Sequence, residues 1–573
     1  MNKQDVVKIL YNIGVLLEIQ GENLIKSKAY FKAASALEQF KGELAAIDCE
    51  SSLKTIKGID ETIIGVIEML MINGRLKYYE ELTEDIPEGL IEMMKIPGLG
   101  PKRVKLLFDG LGINSVAGLK YECDRNVVAR LKDFGPKIQS NILNGIRNLD
   151  SLIIQYIYPY AAGLASEILG SLSKSGFVIK CSEIGSLRRK EEVVKEIDLL
   201  ASTEHFDGVM NIFTSLPLVM KILEKDERKS SVVLKDGIKV NLRVVSNNEY
   251  PFALHYYTAS EGHIAAITNF ASRLGININE RSIIKNAFKL ECENEEDIYK
   301  VFGIKYIPPE LRENCGEIEA ALNGQIPELI EQKDIKGVLH VHSSFSDGKN
   351  TIEELALYCI EKGYKYLGIS DHSQSSYFVR GLKVEEIKRQ FEEIDRLNSK
   401  YTDFLILKGI EADILPDGSL DYDDEVLSWF DFTVASVHAA LNMDKESMTE
   451  RVLKAVRNKY VSILGHPTGR ILLAKGPLKL DIQKVIKICA EENVIIEINS
   501  NPHRLDLDWR NCILAKEAGC KLAVDPDAHS VPGIDEMRYG INNARRGWLT
   551  KEDIVNTMDA HKIKSILCSR RLK

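Results

Sequence analysis

The last third of the chain alternates short apolar runs with amphipathic segments, and this pattern constrains the fold more than any other feature of the sequence. Apolar runs typical of buried strands begin near residues 337, 366, 405, 432, 462, 494 and 521, with helical spacing between them. Strands that alternate with helices form parallel sheets, because a parallel connection must cross the sheet. Seven such runs predict a parallel α/β barrel one strand short of the common eight.

Histidine and carboxylate side chains stand at or just beyond the C-terminal ends of these predicted strands. In parallel barrels that end of the sheet forms the active site. Nine positions share this placement: His340, His342, Asp347, His372, Glu411, His438, His466, Asp527 and His529. Imidazole and carboxylate ligands suit Mn²⁺, Zn²⁺ or Fe²⁺, and this number of ligands is enough for a two- or three-metal cluster. The sequence therefore predicts a metal centre in the barrel.

The first part of the chain has helical spacing over residues 5 to 49 and then one anion-binding signal. Gly98 and Gly100 precede Pro101 and Lys102 in the form of a helix-hairpin-helix turn. The glycines let the backbone approach a phosphate, and the following helix presents its N–H groups to that anion. Such a turn grips a nucleic-acid backbone without reading its sequence. We expect Gly98, Gly100 and Lys102 to contact DNA.

A turn followed by a carboxylate-bearing strand marks the middle of the chain. Ser186, next to Gly185, can hold phosphate oxygens together with backbone N–H groups, and Arg189 adds positive charge. Glu196 and Asp198 point to the same face of a predicted strand, where two carboxylates can share divalent metal ions. Taken alone, the stretch fits an ordinary basic turn before a strand equally well.

An ordered series of motifs surrounds this turn. Further strand signals lie at residues 177–179, 231–234 and 238–245. The motifs are, in order, Gly185-Ser186-x-Arg188-Arg189, acids at 196 and 198, Val240-Asn241-Leu242-Arg243 and Tyr256-Tyr257-Thr258-Ala259-Ser260. This series resembles the palm of family X DNA polymerases, and the hairpin turn upstream resembles the fingers of that family. The resemblance implies nucleotide binding at Gly185, Ser186, Arg189 and Tyr257.

The catalytic positions depart from the pattern of that family. The three aspartates that hold two magnesium ions in the family fall here on Glu196, Asp198 and Asn241. The extra methylene of Glu196 moves its carboxylate by roughly 1 Å, a misplacement that can cost about a hundredfold in rate. Asn241 replaces an anion with a neutral amide. We expect a degenerate site whose polymerase activity is weak or lost, and which would use Mg²⁺ or Mn²⁺ if it is active.

The nine barrel positions resemble, residue by residue, the ligands of the PHP (polymerase and histidinol phosphatase) phosphoesterase domain. Bacterial family X polymerases carry this domain at their C-terminus, so the order of the domains agrees with both resemblances. The resemblance implies a DNA-repair protein, acting in base excision repair, whose PHP domain is a metal-dependent 3′–5′ exonuclease or phosphoesterase, with manganese as the expected metal. The implied partners are gapped, 3′-recessed or damaged DNA and, for an active palm, a dNTP.

Three interpretations of residues 1–325 stay open. The palm has weak or no activity, or it is a functional gap-filling DNA polymerase, or the whole segment only binds and positions DNA. Binding without extension, weakened by changes at Gly98 or Lys102, would favour the last one. A metabolic phosphatase such as a histidinol-phosphate hydrolase would share the barrel site but leaves the hairpin and palm motifs unexplained.

A chain of 573 residues is too long for one hydrophobic core. We predict a multidomain protein with a helical helix-hairpin-helix region, an α+β nucleotidyltransferase palm with thumb, and a distorted (β/α)7-type barrel. The predicted domains are a helical 8-kDa-like domain (1–90), fingers (91–150), palm (151–262), thumb (263–325), linker (326–336) and PHP domain (337–573). Without an 18-residue apolar run or a signal-like start, we expect a cytoplasmic location and no membrane partner. The net charge of −9 requires any DNA contact to be local, and the sequence leaves protein partners unknown.

Overall fold

The computed structural model describes residues 3–20, 24–39, 59–73, 76, 78–79, 82, 88–94, 96–147, 155–376 and 379–572. It divides into two compact units. The first comprises Met1–Ile153 with Leu473–Gly476, and the second comprises Ile154–Leu472 with Pro477–Lys573. The predicted palm, thumb and barrel therefore share one unit, while the finer domain boundaries stay predictions. None of the described helices is both long and apolar enough to cross a membrane.

The described part of the first unit is helical. Its helices are α1 (Lys3–Gln20), α2 (Leu24–Gln39), α3 (Glu61–Asn73), α4 (Glu88–Met93), α5 (Pro101–Leu111), α6 (Val116–Asp124) and α7 (Pro136–Arg147). In α1, Val6, Leu10, Ile13 and Leu17 are fully buried and lie on one helical face. The predicted helical spacing is thus confirmed for the described residues, whereas positions 21–23 and 40–49 of the predicted segment lie outside them.

The second unit begins with a five-stranded sheet. It contains β1 (Tyr156–Ile157), α8 (Tyr158–Ser173), β2 (Lys180–Ile184), α9 (Gly185–Arg188), β3 (Val193–Val194), β4 (Glu196–Ser202), α10 (Phe206–Thr214), β5 (Val219–Lys225), β6 (Lys229–Leu234), β7 (Lys239–Val245) and α11 (Tyr250–Thr258). The strand order is β2-β4-β7-β6-β5, and β4 and β7 are the parallel pair. Helices α8 and α10 pack on one face, and α11 packs on the face that carries Glu196 and Asp198.

The strands predicted at 231–234 and 238–245 are confirmed, with small shifts at their ends. The strand predicted at 177–179 is wrong, because the edge strand β2 begins at Lys180. Phe177 and Ile179 are instead 41% and 51% exposed, and Phe177 packs edge-on against His205. An apolar run is therefore not evidence of a strand at this edge of the sheet.

The predicted thumb follows the sheet as a separate small core. It consists of α12 (Glu261–Arg273), β8 (Ile276–Asn279), β9 (Ser282–Lys285), β10 (Phe288–Leu290), α13 (Glu295–Phe302) and α14 (Glu317–Leu322). The three strands form an antiparallel meander. Segment 326–336 then connects to the barrel and packs on it: Ile330 and Ile335 are buried, and the Ile330 N–H donates to the Leu549 carbonyl at 3.0 Å.

The barrel has seven parallel strands, as predicted. They are β11 (Gly337–Val341), β12 (Tyr366–Ile369), β13 (Leu405–Asp413), β14 (Phe432–Ser436), β15 (Ile463–Leu464), β16 (Ile495–Asn499) and β17 (Leu522–Asp525). The intervening and following helices are α15 (Ile352–Glu361), α16 (Val384–Lys400), α17 (Asp424–Leu427), α18 (Lys445–Val456), α19 (Ile482–Glu492), α20 (Trp509–Glu517), α21 (Met537–Arg546) and α22 (Ala560–Cys568). A parallel bridge between Val341 and Ala528 brings the last strand back to the first.

Close approach of the strands to one large side chain shapes the barrel core. Leu339, Tyr366, Leu407 and Phe432 form a buried cluster, and Phe432 lies directly beside Gly409. A Cβ atom at Gly409 would stand 2.2 Å from the Phe432 ring and 2.6 Å from a backbone oxygen. Glycine at this position is therefore a packing requirement.

We expect Gly409→Ala to destabilise the protein by about 1–3 kcal/mol, because overpacking a filled core forces side chains and backbone apart. Urea unfolding followed by circular dichroism would measure the change. Gly163→Ala is the matched control: Gly163 is exposed in α8, and an added Cβ meets no atom within 4 Å. The control should unfold at the same or a slightly higher urea concentration, since alanine is favoured in helices. Equal behaviour of the two variants would contradict the packing argument.

Candidate active sites

The barrel brings all nine predicted ligand positions to the C-terminal ends of its strands. His340 and Glu411 lie within β11 and β13, and Asp347 lies in the loop before α15. The other six follow strand ends by one to four residues: His342, His372, His438, His466, Asp527 and His529. Sequence order along a closed barrel therefore becomes a ring of side chains in space.

The Glu411 carboxylate lies at the centre of this ring and is 1% exposed. Five imidazole nitrogens surround its two oxygens at 2.8–3.7 Å: those of His340, His342, His372, His438 and His466. A second carboxylate, Asp527, lies 3.1 Å from His342 Nε2 and 3.6 Å from His340 Nε2. Asp347 lies 3.4 Å from His529 Nε2. The ligand-type atoms thus form one connected cluster.

Several atoms of this cluster are suited to a metal ion. Five buried atoms of this cluster make no well-aligned hydrogen bond with the described residues: His340 Nε2, His342 Nδ1, His372 Nδ1, His466 Nδ1 and Glu411 Oε2. His372 Nδ1 and Glu411 Oε2 lie 2.8 Å apart, but they are not aligned for a hydrogen bond. A buried polar atom without a partner carries a desolvation cost of about 1–3 kcal/mol, which a bound cation would offset. Three groups of side chains place their ligand atoms within 4.8 Å of one another: His342, Asp347, His372 and His529; His340, His342 and Asp527; and His372, Glu411 and His438. The residues fit a cluster of ions.

The charges of the cluster are unevenly shared. Burial and the neighbouring His529 and His372 lower the pKa of His342 to about 3. Burial also opposes protonation of His438, but the carboxylates of Glu411 and Asp413 raise its pKa to about 10. In the same way Asp347 and Asp527 overcome burial and raise the pKa of His529 to about 9. Burial also opposes protonation of His340, but Glu497, Asp527 and Glu411 raise its pKa. Without a metal, protonated imidazoles at His340, His438 and His529 therefore offset the charge of the buried carboxylates.

A second layer of acids orients the imidazoles, and the sequence interpretation does not include it. Glu497 Oε1 accepts a hydrogen bond from His340 Nδ1 at 2.5 Å, and its other oxygen accepts the His466 backbone N–H at 2.5 Å. Asp413 likewise accepts from His438 Nδ1 at 2.5 Å. Such partners fix the tautomer and aim Nε2 at the centre. Both acids stand near strand ends, the same signal that marks the nine positions.

In the predicted palm site, the amide of Asn241 occupies the space between two carboxylates. Asp198 on β4 and Asn241 on β7 are register partners. Asn241 Nδ2 donates to Glu196 Oε2 at 3.0 Å and to Asp198 Oδ1 at 2.9 Å, while its Oδ1 accepts from Ser231 Oγ at 2.7 Å. Lys239 Nζ adds an ion pair to Glu196 at 2.9 Å. The Asn241 amide thus hydrogen-bonds both carboxylates, and its own oxygen has a partner in Ser231.

The residues expected to bind a nucleotide differ in their availability. Gly185 has φ +62°, and a Cβ there would stand 3.1 Å from Asp198 Oδ2, so that glycine is required beside the carboxylate; Ser186 follows it in α9. Arg189 is 8% exposed and donates to the Thr258 carbonyl at 2.8 Å and to the carboxylates of Glu313 and Glu191. The hydrogen bonds of its guanidinium are thus made within the protein.

The ring of Tyr257, the remaining predicted nucleotide contact, lies 4.3 Å from the guanidinium carbon of Arg243. This cation–π contact holds the tyrosine on the same side of the sheet as Asp198, whose pKa burial raises. Tyr257 is half-buried. It is therefore reachable from solvent and keeps its predicted role as a proposal.

The helix-hairpin-helix turn is open to solvent. Gly98 has φ +90°, and Gly100 is the residue before α5, whose first residue is Pro101. Gly98, Gly100 and Lys102 are exposed, and a Cβ on either glycine would meet no atom within 4 Å. A second turn of this form precedes α7, with Asp133 at φ +70° in the place of the first glycine. Backbone N–H groups at both helix starts can face an anion.

Comparison with known families assigns four segments of the chain. Family models described as "Helix-hairpin-helix domain" and "SAM-like Helix-hairpin-helix tandem" match residues 1–76 and 90–148. The "DNA polymerase beta thumb" model matches residues 253–313, and the "PHP domain" model matches residues 339–501. The tandem match covers both hairpin turns, and the PHP match covers seven of the nine ring positions, His340 to His466.

Relatives match either the whole chain or its barrel. The chain is 36% identical over 571 residues to the protein named DNA polymerase/3′-5′ exonuclease PolX of Bacillus subtilis, with 99% of each chain covered. It is 29% identical over 251 residues to a probable phosphatase of Thermoanaerobacter sp. strain X514, covering 41% of this chain and 95% of that protein. A probable phosphatase of Caldanaerobacter subterraneus is 28% identical over 249 residues, covering 40% and 91%.

A polymerase-type palm and thumb, joined to hairpin-bearing helices and a phosphoesterase-type barrel, define a protein with two potential active sites. The chain belongs to the family X DNA polymerases that carry a C-terminal PHP domain. The predicted fold class is confirmed for all three parts. The roles of the individual site residues stay proposals.

We expect metal binding to the barrel to release protons and to tighten as pH rises. A histidine must be neutral to coordinate a metal, whereas the raised pKa values of His438 and His529 keep both protonated at neutral pH in the metal-free protein. Each proton released changes the affinity about tenfold per pH unit. Titration of Mn²⁺ between pH 6 and 8, followed by electron paramagnetic resonance, would measure it.

His205→Ala, which changes an exposed histidine outside the barrel, serves as the control in this titration and should leave the slope unchanged. An affinity that is independent of pH would contradict the protonation of the metal-free cluster.

Proposed function

We propose that the barrel is a metal-dependent 3′–5′ exonuclease and phosphoesterase that acts on DNA, and that the palm has weak or no polymerase activity. One observation carries the nuclease assignment: the buried ring around Glu411, with ligand atoms that have no partner in the described part of the chain. The printed name of the Bacillus subtilis relative, which includes a 3′-5′ exonuclease, supports DNA as the substrate.

The nine ring residues would hold two or three divalent ions. The mixed imidazole and carboxylate set suits manganese, zinc or iron, and we propose manganese. Ions bound there would supply Lewis-acid activation of a phosphate and of the attacking water. Glu411 has one oxygen towards His438 and His466 and the other towards His372, so that it can join two ligand groups.

The ring opens to solvent on one side, where a DNA end can enter. The side chains of Asp347, His438 and His529 are 27%, 27% and 39% exposed, in contrast to the fully buried His340. Arg504, 24% exposed, has its Nε 3.9 Å from Asp527 Oδ2. A guanidinium at this rim can bind a substrate phosphate and orient the scissile bond towards the ring.

The palm assignment rests on the amide between the two carboxylates. In a working site, a divalent cation would have to replace the Asn241 NH₂ group between Glu196 and Asp198. The amide must then turn away from its hydrogen bonds, and only two acids remain to hold the charge. The retention of both acids on one face of β4 is the observation that favours the second candidate, a slow gap-filling polymerase using Mg²⁺ or Mn²⁺ and a dNTP.

The helical unit would supply the grip on DNA. Gly98, Gly100 and Lys102 form an exposed turn, and contacts of this kind bind the phosphate backbone irrespective of sequence. We propose gapped, 3′-recessed or damaged DNA as the substrate and a role in DNA repair, including base excision repair. In this interpretation the first part of the protein holds the DNA and the barrel trims its 3′ end.

Changing His340 and His342 together to alanine should lower Mn²⁺-dependent 3′–5′ digestion of labelled DNA by at least about a hundredfold, because the ring loses two buried ligands. A gel that follows shortening of a 5′-labelled strand measures this. His561→Ala, an exposed histidine of α22, is the matched control and should digest DNA like the parent. Unchanged digestion by the double variant would refute the assignment of the ring.

Glu196→Asp combined with Asn241→Asp should increase primer extension on gapped DNA about tenfold or more, because a third anion and the shorter side chain restore the charge and spacing for two ions. The assay is best made in the His340→Ala, His342→Ala background, so that digestion does not mask synthesis. Asn247→Asp adds a charge at an exposed position and should leave extension unchanged. Robust extension by the unmodified palm would instead favour the polymerase candidate.

A further inference from the structure

An ion pair joins Glu192 of the palm to Arg470 of the barrel, close in sequence to the predicted metal ligand His466. Glu192 lies in the turn between α9 and β3, and its two oxygens accept from both terminal nitrogens of Arg470, at 2.6 and 3.3 Å. The two side chains are only 13% and 14% exposed. Arg470 stands four residues after His466 in the loop that follows β15. A residue of the palm therefore fixes a side chain of the metal-binding end of the barrel.

Arg470 in turn joins two loops at this end. Its Nε donates to the Arg504 carbonyl at 2.9 Å, and its terminal nitrogen donates to the Leu505 carbonyl. The guanidinium thus binds the loop after β15 to the loop after β16. Because it is planar and held on both edges, it fixes the orientation of the loops as well as their distance.

Hydrogen bonds lead from these loops to the ring itself. Asp506 is fully buried and accepts from Thr468 N at 3.0 Å and from Thr468 Oγ1 at 2.9 Å. Its carbonyl accepts from Asn499 N at 2.6 Å. The Asn499 amide then donates to Asp527 Oδ2 at 3.0 Å and to Glu497 Oε2 at 3.2 Å. Asp527 is a predicted ligand, and Glu497 orients His340.

The charge of Glu192 stabilises Arg470, from which the hydrogen bonds lead to Asp527 and Glu497. Burial disfavours the charged form of Arg470, and Glu192, followed by Asp506, offsets this by raising the pKa of the guanidinium. Without Glu192 the buried cation would be drawn towards Asp506, whose carboxylate holds Thr468. Removing one partner of a buried ion pair is costly because the other charge stays unpaired. The strain would fall on the loop that carries His466.

We propose that Glu192, a residue of the palm, is a positioning residue for the metal centre of the barrel. The inference rests on the proposed nuclease function, and it gives the palm a role in DNA digestion that does not require its own carboxylates. Thumb residue Glu310 also pairs with the barrel, through Arg545 Nε at 2.8 Å. Arg545 also donates to the Ile330 carbonyl, and among the described residues its side chain has no hydrogen bond or ion pair with the loops after β15 and β16.

The test compares Glu192→Gln with Glu310→Gln in the full-length protein. Both changes neutralise one acid of a largely buried pair, at 13% and 9% side-chain exposure, but only the first touches the ligand loops. We expect Glu192→Gln to weaken Mn²⁺ binding about tenfold, the lower end of the effect of outer-layer residues on metal sites. It should lower kcat for DNA digestion similarly with little change in KM. Glu310→Gln should stay within about twofold of the parent in both measurements.

Glu192→Asp supplies the rescue, since it keeps the charge and should recover much of the Mn²⁺ affinity. Thermal unfolding of each variant confirms that the comparison is made between folded proteins. Equal Mn²⁺ affinities for Glu192→Gln and Glu310→Gln would overturn the positioning role. Absence of Mn²⁺-dependent digestion by the parent would overturn the proposed function instead, and the Mn²⁺ titration would still decide the role of Glu192.

Discussion

A carboxylate in the middle of five imidazoles is the constraint on which the second unit depends. Glu411 is buried so deeply that its charge is tolerable only with cations or strong donors around it. The five imidazoles come from the ends of four strands, β11, β12, β14 and β15, so the strands must be parallel and closed into a ring. Asp413 and Glu497 then hold the imidazoles at their outer nitrogens. The barrel fold therefore brings the nine predicted ligand side chains to the positions that a metal centre around Glu411 requires.

The two sites of the protein treat buried charge in opposite ways. In the barrel, several inward-facing atoms have no hydrogen-bond partner among the described residues, and bound metal ions would coordinate them. In the palm, the Asn241 amide donates to the carboxylates of Glu196 and Asp198, and its oxygen accepts a hydrogen bond from Ser231. This contrast supports the proposal that DNA hydrolysis takes place in the barrel and that polymerase activity in the palm is weak or lost.

The sequence predicted what is local or periodic. Seven strands and the ring positions followed from apolar runs and from the residues directly after them, because a parallel barrel converts strand ends into neighbours. The edge strand β5 escaped notice because it is exposed from Met220 to Lys225 and shows no alternation. The thumb strands escaped notice because they are only three or four residues long. The strand predicted at 177–179 was wrong because this apolar run lies before β2, with Phe177 and Ile179 exposed. Arg189 was expected to face a nucleotide, but it pairs with Glu313, 124 residues away, and no local pattern encodes such a pairing.

The closure between Val341 and Ala528 also has a consequence for the order of events in biosynthesis. The first and last strands each contribute to the same ion groups, and His342 and Asp527, which lie 3.1 Å apart, are separated by 185 positions in the chain. The chain between these two residues must fold back on itself before their contact can stabilise the barrel. A ribosome-bound chain that has not yet released the segment after β17 therefore lacks one ligand, Asp527 or His529, of each of two ion groups. Potential hydrolytic capacity is withheld until translation of the barrel is almost finished.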